Sequence, residues 1–194
     1  MINLNTSINK YVDGIAVHWY TTVDMIFSDF YEMYLTRLAF PQFFYFASEA
    51  CEGYLKADEG PKMVMWRRGT NYALSIIGDL LVGATGWTDW NVVLDLHGGP
   101  NQFQYYVDSP IIANTTSGNV FYKNPIERKK IRYIVPLKIV SFKTPINQMV
   151  IIALNQDTNH TQIVQVKDPN HGYLTLTLLS ESIQTVVYNV ATTA

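Results

Sequence analysis

Two patterns of hydrophobic and polar positions follow one another along the chain, and the first pattern predicts parallel strands joined by helices. Residues 12–20 and 43–50 are apolar runs rich in β-branched and aromatic side chains, which is typical of buried strands. Apolar residues at helical spacing predict helices over residues 21–39 and 70–83. A third strand is predicted at residues 86–93, which read GWTDWNVV. This order indicates βα units, either in an open sheet or in a (β/α)8 barrel.

The second pattern begins after about residue 133 and predicts an antiparallel β-sandwich, or half of one. The strings MVIIAL, TQIVQV, GYLTLTLL and SIQTVVYNV alternate, and Asn, Asp, Pro and Gly residues separate them. We therefore predict an α/β plus all-β chain, with one domain over residues 1–133 and a second over residues 134–194. Residues 126–139 carry a burst of basic side chains, which we interpret as a solvated helix or loop end in preference to a binding patch.

Composition describes a globular chain and excludes several classes of function. The 194 residues are 48% hydrophobic, enough for a sizeable core. A net charge of -2 lacks the basic excess that nucleic acid requires, so no nucleic-acid partner is expected. The 4 histidines show no metal-ligand spacing. The sequence contains no apolar stretch long enough for a membrane span.

The N-terminal residues and the sequons raise the question of the compartment. The sequence begins without the basic and apolar regions of a secretory signal. Three Asn-x-Ser/Thr triplets, at Asn5, Asn114 and Asn159, suit passage through a secretory pathway, although such triplets also arise by chance. If the sequons are used, we expect a further N-terminal region.

Polar and aromatic side chains cluster where the predicted strands end. In a parallel barrel the carboxyl ends of the strands converge on one mouth. The residues at these ends are His18, Trp19, Tyr20, Ser48, Glu49, Trp87, Asp89 and Trp90. Aromatic rings stack on the C–H faces of sugars, and carboxylates cleave glycosidic bonds, so this set favours a carbohydrate site.

Each of these residues also has a structural interpretation. Glu49 is a candidate nucleophile or a salt-bridged carboxylate, and its position after an apolar strand favours a role in chemistry. His18 either holds a carboxylate or is a core histidine. Asp89 is a second acid or a partner of an indole or amide N–H, while Trp87 and Trp90 are alternatively core residues.

Eight strings, in one order along the chain, carry a resemblance to a known family. They are DGIAVHWY, FASEAC, SIIGDLL, GWTDWN, GGPNQF, VDSPII, FYKNP and VKDP. In this order they resemble the glucosylceramidases of glycoside hydrolase family 30. The resemblance runs from Tyr11 to Val190 and implies the last strands and helices of a (β/α)8 TIM barrel, followed by part of an antiparallel β-sandwich.

The resemblance also implies an activity and a set of site residues. It implies retaining hydrolysis of the β-glucosidic bond of glucosylceramide to glucose and ceramide, with no metal or organic cofactor. Glu49 of FASEAC corresponds to the nucleophile. The substrate-binding residues implied are His18, Tyr20 and Trp90, and the supporting ones are Trp87, Asp89 and Cys51. Cys51 has no base beside it in sequence, so thiol catalysis is not expected.

Three departures from the family pattern bear on activity. The family's acid/base glutamate belongs to an Asn-Glu pair on an earlier barrel strand, and this sequence contains no such pair. Tyr105 stands where the family has a sugar-contacting asparagine. Residues 125–149 replace a longer family segment that holds the last barrel helix. We therefore expect an incomplete barrel and little or no turnover by this chain alone.

Partners and alternatives complete the prediction. The resemblance implies a lysosomal or secretory location, a peripheral membrane contact and an activator protein. A second hypothesis is a non-catalytic protein, either a truncated paralogue or a lectin-like sandwich that binds glycans or lipids. A third is a family 30 enzyme that acts on another β-glycoside.

Overall fold

The computed structural model of the chain describes residues 9–21, 27–122, 137–169 and 172–190. The chain divides into two compact units, Met1–Ile126 and Glu127–Ala194. The predicted domain boundary at residue 133 and most of the basic stretch lie outside the described residues, as does the sequon at Asn5. The boundary therefore stays a prediction.

Two helices and ten strands make up the regular structure of the described residues. The helices are α1 (Phe27–Ala39) and α2 (Trp66–Leu81), and single 3-10 turns lie at Asn9–Tyr11, Trp19–Thr21 and Lys56–Asp58. The strands of the first unit are β1 (Gly14–His18), β2 (Phe44–Glu49), β3 (Val93–Asp95), β4 (Ile111–Asn114) and β5 (Asn119–Tyr122). Those of the second are β6 (Leu137–Lys143), β7 (Gln148–Asn155), β8 (Gln162–Asp168), β9 (Gly172–Leu178) and β10 (Ser182–Asn189).

The first unit contains the parallel strands that the apolar runs predict. Strands β1 and β2 pair in parallel, as expected for consecutive barrel strands joined by a helix. The prediction of a regular third strand at residues 86–93 is wrong. Instead, residues 85–90 run beside β2 as an irregular segment, with one parallel bridge between Ala47 and Trp87. The amides of Thr88 and Trp90 still donate to the carbonyls of Ala47 and Ala50, so the segment stays attached to β2.

The helices of the first unit differ from prediction at their ends. The predicted α1 began at residue 21, but that residue belongs to a 3-10 turn and residues 22–26 lie outside the described ones. Helix α2 starts at Trp66, four residues before the predicted start. The prediction began late because residues 67–69 of the first turn are not apolar and show no helical period. The two helices pack closely at Gly78, where any Cβ would lie 2.4 Å from the Phe30 ring.

A three-stranded sheet in the first unit was not predicted. Strand β4 pairs in parallel with β3 and antiparallel with β5. Strands of three or four residues are too short to show a period of two, so their sequences resemble loops. The sheet supports the buried cluster of Cys51, Leu94, Val107 and Ile112, which lies just beyond the end of β2.

The second unit consists of two antiparallel sheets, as the alternating strings predict. One sheet has the order β10-β7-β6 and the other is the β8-β9 hairpin. Their common core contains Ile151, Ala153, Leu176 and Leu178. Strand β6 includes residues 137–139, the end of the basic stretch that was interpreted as a helix or loop end. That interpretation is wrong for these three residues because their backbone pairs with β7.

Candidate active site

A β-bulge brings the two most informative residues of the sequence opposite each other. The register of β1 and β2 runs evenly as far as Val17 and Ala47, and then His18 pairs with Glu49. Ser48 is therefore the extra residue of the bulge, and its hydroxyl donates to the Val17 carbonyl at 3.4 Å. Bulges re-aim side chains at the ends of strands. Here the bulge directs Glu49 and His18 to the same side.

His18 and Glu49 form the polar centre of the site. The His18 Nδ1 atom lies 3.3 Å from Glu49 Oε1. The Glu49 side chain is 22% exposed and that of His18 is 50% exposed, so both groups remain reachable from solvent. An imidazole beside a carboxylate fixes the orientation of that carboxylate, and a protonated imidazole binds the carboxylate more strongly than a neutral one. Of the two interpretations that the sequence left open for His18, the contact and the exposure fit the one in which it holds a carboxylate.

Tyr20 and Cys51 close one side of this centre. The Tyr20 hydroxyl and the Cys51 sulfur lie 3.3 Å apart, and either can donate the hydrogen bond. Burial, hydrogen bonds to Cys51 and Glu49, and their charges raise the pKa of Tyr20 far above its usual value. Burial, together with the charges of Asp89, Glu49 and Glu52, raises the pKa of Cys51 to about 11, against the opposing hydrogen bond from Tyr20. Both groups are therefore neutral at pH 7, and a neutral phenol donates well to a carboxylate.

Aromatic rings from three elements line the space behind the centre. Trp19 stacks on Tyr72 of α2, with ring centroids 5.2 Å apart, and Tyr72 meets the edge of Trp87 at 5.5 Å. Tyr54 packs against Tyr20 at 5.0 Å. Aromatic pairs at these distances add stability beyond area burial, so the wall is rigid. We call Trp19, Tyr72 and Trp87 the aromatic wall.

The segment after α2 contributes the remaining predicted residues. Trp87 belongs to the aromatic wall, and its indole N–H donates to Ser75 Oγ at 3.0 Å. Asp89 forms a hydrogen bond with the Tyr72 hydroxyl that helps to raise the Tyr72 pKa, after burial and the Asp89 charge. Asp89 therefore lies against the wall. Trp90 is 54% exposed, which leaves its ring free to stack on a ligand and contradicts a core position.

A buried ion cluster supports the loop that follows Glu49. Arg68 of α2 is 2% exposed and forms ion pairs with Asp108, which is 1% exposed, and with Asp58. Glu52 lies 3.9 Å from the Arg68 Nε atom and accepts a hydrogen bond from Asn71 at 2.6 Å. Burial raises the pKa of Glu52, against Asn71 and Arg68, which lower it. The cluster holds residues 52–60 in place, and this segment positions Tyr54 at the site.

Several site residues are not evident from the sequence. Tyr54 and Tyr72 lack any distinguishing spacing, and only the fold brings them to the centre. Tyr105, the departure from the family pattern, donates from its hydroxyl to the Tyr54 carbonyl at 3.1 Å and is 55% exposed. A carboxylate in the apolar helix string SIIGDLL was a signal for the buried Asp79.

Two features of the described residues bear on cofactors and membranes. No group of three or more His, Cys, Asp or Glu side chains there could hold a metal ion. No helix in the same part of the chain is long and apolar enough to cross a membrane. The expectation that no cofactor is needed stays a prediction.

Parallel strands with a carboxylate at their carboxyl ends and aromatic walls are typical of carbohydrate-active barrel enzymes. Residues 2–132 match the glycosyl hydrolase family 30 TIM-barrel domain. Residues 133–186 match the glycosyl hydrolase family 30 beta sandwich domain. The chain belongs to glycosyl hydrolase family 30 and contains part of its barrel followed by sandwich strands. The predicted family and fold class are confirmed.

Curated relatives with glucosylceramidase names cover most of the chain. It is 35% identical over 204 residues to putative glucosylceramidase 4 of Caenorhabditis elegans. It is 33% identical over 196 residues to lysosomal acid glucosylceramidase of Mus musculus. Each match covers 92% of this chain and 37% of the relative. The chain thus spans little more than a third of the length of these relatives.

Solved structures show the same fold at lower identity. The crystal structure of SrfJ from Salmonella typhimurium matches with a TM-score of 0.77 and 23% identity, covering 96% of this chain and 43% of that one. The endo-beta1,6-glucanase BT3312 matches with a TM-score of 0.73 and 14% identity over the same shares. At these identities the likeness concerns the fold alone.

Proposed function

We propose that this chain carries the nucleophile side of a retaining β-glucosidase site, with glucosylceramide as the substrate of the whole protein. The observation that supports this most is the Glu49 carboxylate at the bulged end of β2, held by His18 at 3.3 Å and bordered by Tyr20. A nucleophilic carboxylate must be oriented and reachable, and this arrangement meets both needs.

The proposed reaction has two steps. A Glu49 oxygen forms a bond to the anomeric carbon of the glucoside, and the bond from that carbon to the leaving oxygen breaks. The leaving oxygen departs with the electron pair and takes up a proton from a general acid. Water then attacks the same carbon, loses a proton and frees the Glu49 carboxylate. The proposal assigns the general acid to no residue of this sequence.

The other site residues take supporting roles in this proposal. His18 and Tyr20 orient the nucleophile, and the half-exposed Trp90 stacks on the sugar face. Trp87 and Asp89 hold the wall behind them, while the neutral Cys51 takes no part in bond making. These roles rest on the contacts above and on the family resemblance.

Location and partners form part of the same proposal. One of the matched relatives is named as lysosomal, and sequons at Asn114 and Asn159 fit a secretory route. We extend to this protein a lysosomal location, a peripheral membrane contact and an activator protein. Exposed apolar side chains at Leu55 and Phe103 support a lipid-facing contact.

An activated substrate tests the nucleophile without the missing acid. The leaving group of 2,4-dinitrophenyl β-glucoside is a stable phenolate and needs no proton. We expect the chain to release dinitrophenolate in a burst of about one equivalent per chain, the kinetic sign of a covalent intermediate. Glu49→Gln removes the burst, whereas Glu59→Gln, a control at the partly exposed Glu59, keeps it.

Two outcomes overturn the proposal. The first is a burst that survives Glu49→Gln. The second is an absence of release while the glucoside still quenches tryptophan fluorescence, which would favour the non-catalytic, glycan-binding hypothesis.

A further inference from the structure

A buried carboxylate on α2 has no role in the proposed reaction. Asp79 is 3% exposed and lies in the apolar interior of the first unit. An ionised carboxylate in such surroundings costs several kcal/mol unless hydrogen bonds compensate it. Among the described residues, its Oδ1 atom has no hydrogen-bond partner. Its Oδ2 atom accepts from Ser75 Oγ at 3.2 Å.

Ser75 joins this carboxylate to the aromatic wall. The hydroxyl that donates to Asp79 also accepts the Trp87 indole N–H at 3.0 Å. A hydroxyl has one proton to give, so its donation to Asp79 turns its lone pairs towards Trp87. The three groups thus form one directional chain of hydrogen bonds.

The chain of hydrogen bonds ends beside the candidate nucleophile. Trp87, Ser75 and Asp79 line the same narrow cavity as His18 and Glu49. On its other side, Trp87 borders a cavity of about 350 Å³ that Tyr72 and Asp89 also line. The angle of the Trp87 ring therefore sets the walls of both spaces.

We propose that Asp79 is a positioning residue, which acts through the Ser75 hydroxyl to fix the Trp87 indole beside the space shared by Glu49 and His18. The position of Trp87 follows from the geometry alone, and only its consequence for catalysis rests on the proposed function. A hydrogen bond to an ionised carboxylate is roughly twice as strong as a neutral one, so protonation of Asp79 loosens the Trp87 ring.

The groups that face Asp79 decide where it titrates. Tyr45 of β2 faces it with a buried hydroxyl, and the Asp79 charge adds to burial in raising the Tyr45 pKa. His18 and Glu49 line the shared cavity, and the nearest α1 cation, Arg37, contacts Gly83. Burial raises the Asp79 pKa to about 6, against the Ser75 hydrogen bond. The loosening therefore falls in a mildly acidic range.

Fluorine NMR of the chain labelled with 5-fluorotryptophan tests this directly. The sequence has 4 tryptophans, and Trp87→Phe identifies the Trp87 resonance. We expect that resonance to shift with a midpoint near pH 6 and to stay fixed in Asp79→Asn and Ser75→Ala. The exposed Asp13 provides the matched control, since Asp13→Asn keeps the shift. His18→Gln also keeps it, which separates Asp79 from the neighbouring imidazole.

Hydrogen exchange of the Trp87 indole N–H gives a second readout that a merely structural role does not reproduce. We expect Ser75→Ala and Asp79→Ala to speed this exchange roughly five- to tenfold, as for the loss of one hydrogen bond. Asp79→Asn keeps an acceptor oxygen but carries no charge, so we expect its exchange at pH 7 to lie between that of the unchanged protein and that of Asp79→Ala. A Trp87 shift that persists in Asp79→Asn, or exchange that is unchanged in Ser75→Ala, overturns the proposal. Neither result depends on whether Glu49 acts as a nucleophile.

Discussion

The two compact units differ in what they bury. Among its described residues, the first unit buries four acidic or basic side chains, namely Glu52, Arg68, Asp79 and Asp108. Among the described residues of the second unit, the buried polar side chains are the neutral amides Asn155 and Gln156. Burying a charged side chain costs free energy, so such a side chain is retained where it has a role. Neutral amides form hydrogen bonds with turns at a lower cost in free energy. We therefore expect the stability of the first unit to depend on paired buried charges and that of the second on apolar packing.

The largest expected effect is the loss of the central cation of the first unit. Arg68→Met leaves the buried Asp108 without its partner and lowers the free energy of unfolding by about 3 to 5 kcal/mol. Tryptophan fluorescence during urea unfolding measures this change. The control Arg67→Met removes a side chain that is 40% exposed and costs less than about 1 kcal/mol. Equal effects of the two variants would contradict the role of buried charge.

The second unit should respond to a loss of apolar volume instead. Leu178→Ala opens a cavity in its core, where Leu178 is 1% exposed, and lowers the free energy of unfolding by roughly 2 to 5 kcal/mol. Far-UV circular dichroism during urea unfolding follows this unit. Ile163, 72% exposed, provides the control, because Ile163→Ala changes stability by less than about 0.5 kcal/mol. A small effect of Leu178→Ala would mean that the two sheets do not share one core.

The pH dependence of stability should follow Asp79. Its pKa rises from 3.8 when unfolded to about 6 when folded, so the folded state binds the proton more tightly. Its contribution to stability is complete below about pH 4 and is lost as the pH rises through 6. The loss amounts to roughly 2 to 3 kcal/mol by pH 7, and Asp79→Asn removes it. Urea unfolding at pH 4 and pH 7 measures the difference. Parallel profiles of both proteins would contradict the buried, ionised carboxylate.

The smallest expected effect is the loss of a buried amide in the second unit. The Asn155 side-chain amide donates to the carbonyls of His160, Leu178 and Leu179 at 2.9 to 3.1 Å. Asn155→Ala leaves these carbonyls without that donor and costs about 1 to 3 kcal/mol, measured by thermal unfolding. The exposed Asn159 serves as the control, since Asn159→Ala should leave the melting temperature unchanged. A cost above that of Arg68→Met would reverse the comparison.

The sequence predicts the strand-end residues well because they follow apolar runs. Glu49 and His18 stand where such runs end, and the structure pairs them. The regular strand around Trp87 was wrong because polar residues interrupt that string and its backbone pairs irregularly with β2. Strand β6 was missed because lysines in and before it resemble a solvated stretch.

The rest of the site depends on tertiary contacts that no local pattern contains. Helix α2 buries the polar side chains of Arg68, Ser75 and Asp79 against other elements, although the Arg67 side chain is 40% exposed. Helical spacing therefore did not distinguish Arg68 from a surface charge, whereas the apolar residues around Asp79 in SIIGDLL indicate its burial. Tyr54 packs on Tyr20 from a loop whose Asp58 and Gly60 carbonyls accept hydrogen bonds from Arg68.

The most direct test of the central claim is to identify the residue that becomes glycosylated. The chain is incubated with 2-deoxy-2-fluoro-β-glucosyl fluoride, whose fluoride leaves without acid help and whose glycosyl-enzyme hydrolyses slowly. Peptide mass spectrometry then finds the modified residue. We expect one fluoroglucosyl group on Glu49 and none in Glu49→Gln. Labelling of another carboxylate, or of none while the chain remains folded, would contradict it.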